Sequence, residues 1–313
     1  MTQYILRRLL QLPIILFGVS VLVFLVLHLV PGNPALAIAG ADAPPETVAA
    51  IERELGLDRP LPEQYVLYIG RVVQGDLGRS LRSRRPVLAD VMDALPNTLQ
   101  LAVVAAAITP VFAIPLGVLA AARRGTLVDT SLMLVSMLGI TLPVFALALG
   151  FMWIFAYQLR LFPISGYGGP IWTSDGLRSV TLPALTLAIG AVALLARLTR
   201  SAMLEVLNQD YVRSARAKGL REGVVLLRHA LANAMLPVVT VVGLQVAALL
   251  SGAVVTETVF AWPGVGRLAV FAIQARDFPL VQGTVLVIAV MFVLVNLAVD
   301  VLYAYVDPRI HYG

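Results

Sequence analysis

Side chains that commonly do chemistry are few and widely separated in this sequence. Cysteine is absent, which excludes thiolate metal sites, cysteine nucleophiles and disulfides. The three histidines, His28, His229 and His311, lie far apart along the chain and offer no histidine-rich metal site. The single lysine, Lys218, precedes Gly219, whereas a phosphate-binding P-loop needs Ser or Thr after its lysine. The chain therefore cannot hydrolyse ATP through a P-loop of its own.

Motifs of membrane-embedded enzymes are also missing. The sequence contains no HExxH zinc motif, no GxGD aspartyl-protease motif and no GxSxG nucleophile elbow. Acidic residues occur near the ends of apolar runs, at Asp129, Glu257 and Asp300. These positions favour capping or orienting a helix at the membrane interface, with a role on a transport path as the alternative.

Polar side chains within the last two apolar runs should face the interior of a helix bundle, because lipid offers them no partner. Together with the neighbouring acid they form the candidate translocation-path residues: Gln245, Ser251, Thr256, Glu257 and Asn296. They could line a path for a solute or bridge neighbouring helices, and the sequence leaves both interpretations open.

The strongest local signal is a basic stretch after the fourth apolar run, NQDYVRSARAKGLREGVVLLRHALANAMLPVVT at residues 208–240. Asp210 suits the start of a helix, and Gly219 suits a left-handed helix end. A second helix is expected from Val224 toward Pro237. The pattern predicts either a compact helical knob held against the membrane or a solvated basic loop that only fixes topology.

The elements that must position these residues belong to a membrane protein. The residues AVILMFWYC make up 59% of the chain, DEKR make up 13%, and the mean hydropathy is +0.88. The net charge of +5 comes from basic residues spread between apolar runs, which argues against a nucleic-acid-binding arm. Six charge-free runs can each supply a helix of about 20 residues: 9–41, 94–122, 130–159, 179–196, 229–256 and 278–299.

These runs are predicted to be helices, since backbone polar groups in lipid must be paired within the segment. The fourth run is the shortest and can cross if its helix continues past Arg197. Pro110, Pro115 and Pro143 predict kinks in the second and third runs. The first run is longer than the apolar part of a secretory signal, so we expect it to remain as a helix.

The distribution of basic residues predicts the orientation, because short cytoplasmic loops accumulate positive charge. Arg7 and Arg8 precede the first run, and Arg123 and Arg124 follow the second. Further basic residues follow the fourth run: Arg197, Arg200, Arg213, Arg216, Lys218, Arg221 and Arg228. These three regions fall on one side of a six-span chain. Both termini are therefore predicted to be cytoplasmic.

The segment after the first run is predicted to lie outside and to contain two short helices. Residues 45–55 place Val48 and Ile51 on one helical face, and residues 62–73 place Tyr65 and Ile69 on another. A turn-rich sequence follows. The pattern predicts a small helical cap packed on the bundle.

Eight motifs follow one another along nearly the whole chain. They are ILRRLL at 5–10, HLVPGNP at 28–34, GDLGRS at 75–80, LPNTLQLA at 95–102, YVRSARAKGL at 211–220, RHALANAMLP at 228–237, ETVFAWPGVGRLAVFAIQARDFPLVQG at 257–283 and DPRI at 307–310. This ordered series resembles the permease subunits of ABC importers in the dipeptide, oligopeptide and nickel branch. The fifth and sixth motifs look like that branch's EAA loop. Arg213, Ser214 and Ala215 occupy the Glu-Ala-Ala positions, which prevents residue-level transfer from sugar permeases.

The resemblance implies an all-α membrane protein with the six-helix type I importer permease fold and a small helical external segment after helix 1. The implied division is 1–30 for the N-terminus and helix 1 and 31–96 for the external segment. The five-helix core is 97–306, with a cytoplasmic coupling loop at 198–235, and the tail is 307–313.

The resemblance also implies partners. The chain would be a non-catalytic, cofactor-free subunit of a bacterial or archaeal plasma membrane, forming a pathway with a second permease. ATP and Mg²⁺ would bind on two ATPase subunits, and an extracytoplasmic solute-binding protein would deliver the solute. The residues implied in ATPase coupling are Tyr211, Arg213, Ser214, Ala215, Ala217, Lys218, Gly219, Leu220 and Arg221.

The expected cargo is dipeptides or oligopeptides, with nickel chelates and glutathione-like solutes as alternatives. A secondary transporter driven by an ion gradient is the alternative from another class. The charge-free centres of the runs and the lack of a visible inverted repeat argue against it.

Overall fold

The structure, a computed structural model, describes the backbone of residues 2–29, 34–39 and 43–306, and every extended regular element in these ranges is a helix. The helices in chain order are α1 (Thr2–Leu29), α2 (Pro34–Ala39), α3 (Pro45–Leu55), α4 (Leu61–Val73), α5 (Val87–Ala122), α6 (Leu127–Thr141), α7 (Val144–Phe151), α8 (Ser174–Leu207), α9 (Asp210–Ala217), α10 (Glu222–Val224), α11 (Leu231–Val259), α12 (Val265–Gln274) and α13 (Phe278–Val306). α7 continues as a π-helical segment, Met152–Gln158, and a second one, Val225–Ala230, joins α10 to α11. The predicted all-α class is confirmed for the described residues.

Four helices in the described part of the chain are long and apolar enough to cross a membrane: Val87–Ala122, Ser174–Leu207, Glu222–Leu250 and Phe278–Val299. A fifth span results if α6 and the α7 segment, bent by 111° at their junction, form one broken span. In α1, the part whose side chains are described, Leu10–Leu25, forms an apolar helix that is shorter than these spans. The prediction of helices able to span a membrane is therefore confirmed, whereas the predicted number of six spans is not.

The prolines have unequal effects on the helices. Pro143 separates α6 from α7, and the preceding Leu142 has the extended ψ of 134° that a residue before proline prefers. Pro110 and Pro115 lie inside α5, which continues through both as one helix. α8 extends past Arg197 to Leu207, as the short fourth run required.

The chain divides into two compact units, the first built from residues up to Asn97 together with Pro263–Leu297. In this unit α4 packs on α1, where the Tyr65 hydroxyl lies 2.7 Å from Ser20 Oγ. The predicted cap helices are present as α3 and α4. The loop before α5 is fixed by the buried Asp277, whose carboxylate accepts a hydrogen bond of 2.6 Å from Ser80 Oγ.

The second unit contains Thr98–Trp262 and the end of α13 from Ala298. α8 packs against both α6 and α11. The approach of α6 is close, since a Cβ added at Gly139 would lie 3.3 Å from the Ala193 Cβ. This arrangement holds α8 in place, and the candidate coupling residues follow directly from its end.

Some predictions fall outside the described residues. The DPRI motif, His311 and the tail at 307–313 have no described backbone, and the side chains of Arg7, Arg8, His28, Ser251 and Asp300 are likewise outside the description.

Candidate functional site

The basic stretch after α8 folds into a short helix that ends at a glycine. α9 begins at Asp210 and ends at Ala217, and Gly219 follows with a φ of +75°. An added Cβ at Gly219 would meet no atom within 4 Å, so the requirement for glycine is conformational rather than steric. The predicted helix start and left-handed end are both found.

The second half of the predicted knob differs from expectation. The next helix begins at Glu222 rather than Val224, and it continues through Pro237 to Val259. A proline inside a bundle helix is tolerated because neighbouring groups pair the carbonyl that it leaves free. The knob is therefore α9 packed against the first turns of a long helix, not two short helices.

Apolar contacts within the chain hold α9 in place. Val212 and Ala215 are buried, with 0% and 7% of their surface exposed, and they pack with the buried Val225. Val206 and Leu207, at the end of α8, complete this cluster. Residues on one face of α9 thus anchor it to both flanking helices. Of the two predicted alternatives, this geometry corresponds to the packed knob and not to the solvated loop.

An ion pair closes the turn between α9 and α10. Arg216 donates hydrogen bonds of 3.1 and 2.6 Å to the two carboxylate oxygens of Glu222. The Glu222 carboxylate raises the pKa of Arg216 above its ordinary value, so the guanidinium stays charged. Both side chains are partly exposed, and the pair orders the turn more than it stabilises the fold.

The predicted coupling residues divide into exposed and buried groups. Only Ala215 is buried, while the exposed members are Tyr211, Arg213, Ser214, Ala217, Lys218, Gly219, Leu220 and Arg221. Ala215 is therefore occupied by contacts within its own chain.

An apolar patch on this knob was not identified from the sequence. We define it as Tyr211, Leu220, Val224 and Leu227, which are exposed by 44, 40, 39 and 63%. The spacing of Val224 and Leu227 at i and i+3 could have placed them on one helical face. Exposed large apolar side chains and exposed arginines are typical of a surface that binds another protein.

Asp129 lies at a helix end, as predicted, and it orients α6 on α8. Its carboxylate accepts hydrogen bonds of 2.6 and 2.8 Å from Arg200 and one of 3.0 Å from the Gly125 amide. The interpretation of Asp129 as a residue that orients a helix fits this geometry.

The candidate path residues of the second unit are spread along one helix. Gln245, Thr256 and Glu257 lie on α11, where eleven residues, or about 16 Å of helix, separate the first two. Gln245 donates a 3.4 Å hydrogen bond to the Ala191 carbonyl of α8, and so bridges two helices. Asn296 donates to Phe292 of its own helix in the first unit.

Thr256 and Glu257 are fully buried near the end of α11. Glu257 accepts a 2.7 Å hydrogen bond from the Thr98 hydroxyl, while the Thr256 hydroxyl has no hydrogen-bond partner among the described residues. Ser251 lies on the same helix, and its side chain is outside the description.

Comparison with known proteins gives matches along the full length. Residues 113–312 match the family described as "Binding-protein-dependent transport system inner membrane component", and residues 1–102 match the N-terminal component of the same systems. The chain is 41% identical over 333 residues to the dipeptide transport system permease protein DppB of Alkalihalophilus pseudofirmus, with 100% of both chains covered.

Two relatives from Escherichia coli are equally similar. The chain is 43% identical over 338 residues to the dipeptide transport system permease protein DppB, covering 100% of this chain and 99% of the relative. It is 42% identical over 312 residues to the glutathione transport system permease protein GsiC, with 100% of both chains covered.

A solved structure supports the fold independently of close sequence similarity. The crystal structure of an amino acid ABC transporter with histidines matches with a TM-score of 0.50 at 14% identity, covering 71% of this chain and 94% of that one. The resemblance to ABC importer permeases is confirmed by these findings. The chain belongs to the family of binding-protein-dependent transport system inner membrane components.

Proposed function

We propose that this chain, with a second permease, forms the path by which an ATP-driven importer moves dipeptides or related small solutes through alternating access. The observation that carries the proposal is the full-length identity of 41–43% to dipeptide and glutathione permeases. In this scheme the protein is a multi-pass inner-membrane subunit. It is non-catalytic, binds no cofactor itself, and uses ATP and Mg²⁺ bound on two ATPase subunits.

The knob formed by α9 is the proposed contact with an ATPase subunit. Its buried face is fixed to α8 and to the π-helical segment through Val212 and Val225, so a push on the exposed face moves these helices together. Its exposed face combines the apolar patch with Arg213 and Arg221, a composition that suits a protein partner. This is the point where nucleotide-driven motion would enter the permease.

The proposed orientation places this knob and both termini in the cytoplasm. The cap helices α3 and α4 then lie outside, where they would contact the solute-binding protein that delivers the cargo. The amphipathic faces of these helices and the packing of α4 on α1 support an ordered cap.

Purified complex reconstituted in proteoliposomes tests the cargo. We expect ATP-dependent uptake of a labelled dipeptide, with competition by unlabelled dipeptides and weaker competition by free amino acids. Uptake of a free amino acid that dipeptides fail to inhibit would contradict the proposed cargo.

Glutathione is the second candidate cargo, because the chain is as similar to the glutathione permease as to the dipeptide permeases. The same assay separates the two. Glutathione that competes at lower concentration than any dipeptide would assign the importer to glutathione-like solutes.

A further inference from the structure

Four of the six buried threonines in the described helices share one hydrogen-bond pattern, and Thr256 departs from it. Buried threonines return the hydroxyl to the carbonyl four residues earlier, over 2.7–2.8 Å, at Thr109, Thr186, Thr199 and Thr284. Thr98, also buried, donates to Glu257 instead. Thr256 is 0% exposed, yet its hydroxyl makes no hydrogen bond among the described residues.

An unpaired hydroxyl is unfavourable at this position. Burial removes the hydrogen bonds that water would supply, and no group in the described part of the chain replaces them. A threonine hydroxyl in a helix often donates a hydrogen bond to the carbonyl four residues earlier, which here is the carbonyl of Gly252. The Thr256 hydroxyl does not make this bond.

A second unfavourable feature lies five residues further along the chain. Ala261 has a φ of +52°, in the left-handed region that an alanine adopts only when its surroundings require it. Its neighbours supply that requirement, because Phe260 and Trp262 are almost completely buried. The Trp262 amide donates a 2.8 Å hydrogen bond to the Glu257 carbonyl, and the Phe260 carbonyl accepts one of 2.8 Å from Gly166.

We propose that residues 256–262 form a switch segment, strained in this conformation and relieved in the opposite conformation of the transport cycle. The proposal rests on the alternating access of the proposed function. Strained backbone and unpaired buried groups concentrate in segments that change conformation, because a strained state and a relaxed state are then closer in free energy. Removing the penalty from this state should favour it over the other and slow the cycle.

Thr256→Val tests the switch, with Thr186→Val as the matched control. Valine has the shape of threonine and lacks the hydroxyl, so at position 256 it removes an unpaired group, whereas at 186 it removes a hydrogen bond of 2.8 Å. We expect Thr256→Val to raise the melting temperature of the purified complex by about 2 °C. ATP-driven uptake should fall about fivefold, because the same penalty sets the balance between conformations. Thr186→Val should melt at or below the wild-type temperature and keep its uptake.

Ala261→Gly is the second variant, since glycine adopts the left-handed conformation freely. It should shift melting and uptake in the same directions as Thr256→Val. A Thr256→Val complex that melts no higher than Thr186→Val would overturn the proposal, and so would higher melting with unchanged uptake. Absence of ATP-driven uptake by the wild-type complex would refute the proposed function instead, while the melting comparison would still test the strain.

Discussion

At the scale of single residues, the turn that follows α9 requires a glycine at position 219. Its φ of +75° is penalised for any residue with a Cβ, by about 1–2 kcal/mol. The open space around it means that this penalty acts alone. Sequence reasoning identified the left-handed end because a glycine follows a run of helix-forming residues.

Gly219→Val should therefore distort the turn and weaken the hold on the ATPase subunits, while the permease still inserts. Gly223→Ala is the matched control, because an added Cβ at Gly223 also meets no atom within 4 Å and that residue lies in α10. Alanine there should be neutral or slightly stabilising. The readout is the amount of ATPase that co-purifies with the permease, and retention by Gly219→Val equal to that of Gly223→Ala would contradict the prediction.

Ala215 and Leu220 are both predicted ATPase-coupling residues, but they differ in burial. Ala215 packs inside the chain, so Ala215→Glu should damage folding and say little about a partner. Leu220 is 40% exposed, so Leu220→Asp should leave insertion and melting close to wild type. Co-purification of the ATPases should fall at least severalfold in Leu220→Asp. Full retention would show that the apolar patch does not contact them.

At the scale of elements, the attachment of α6 to α8 depends on one ion pair and one close helix contact. Asp129 is 6% exposed and binds Arg200, which is 25% exposed, through two short hydrogen bonds. Breaking a buried pair by removing one charge typically costs about 3–5 kcal/mol, and partial exposure of the arginine lowers that range.

Asp129→Asn should destabilise the protein by about 1–3 kcal/mol, since the arginine loses its charged partner. Asp93→Asn provides the control, because Asp93 binds Arg85 at 2.8 Å but is 68% exposed. An exposed pair contributes little to stability, so this variant should melt near wild type. Thermal melting of the purified protein distinguishes them, and equal shifts for both variants would count against the role given to Asp129.

Elements with strong periodicity could be predicted from the sequence, and long-range packing could not. The cap helices and the extension of α8 past Arg197 followed from local patterns. The sequence could not show that Pro143 breaks a helix, with a 111° bend, whereas α5 continues through Pro110. Every proline removes one backbone hydrogen bond, and the surrounding helices decide whether the helix is interrupted there. The ion pair of Asp129 with Arg200 joins residues 71 positions apart, which no local pattern reveals.

At the scale of the whole molecule, the distribution of basic residues predicts the topology of the proposed importer. Reporters fused near Arg124 and Arg221 should be cytoplasmic, and reporters near Glu63 and Gly169 should be external, because positive loops stay inside. Alkaline phosphatase and green fluorescent protein fusions measure this directly. An external position for Arg221 would remove the knob from any contact with an ATPase.

The cap gives a second prediction at this scale. Deleting residues 45–73 should abolish uptake while the basal ATPase activity of the complex stays measurable, because the cap is expected to contact the delivering protein and not the ATPases. Substituting only the exposed Arg53 and Arg71 with glutamine is the milder comparison. Unimpaired uptake after the deletion would show that the cap is dispensable.

The source of energy for uptake tests the central claim most directly. Proteoliposomes containing the permease, its partner permease and both ATPases, with the solute-binding protein added outside, should accumulate a labelled dipeptide only when ATP is enclosed on the side of the ATPases. Vanadate should stop this uptake, and an ionophore that collapses the ion gradients should leave it intact. Uptake that persists with vanadate and disappears with the ionophore would contradict the account and indicate a secondary transporter.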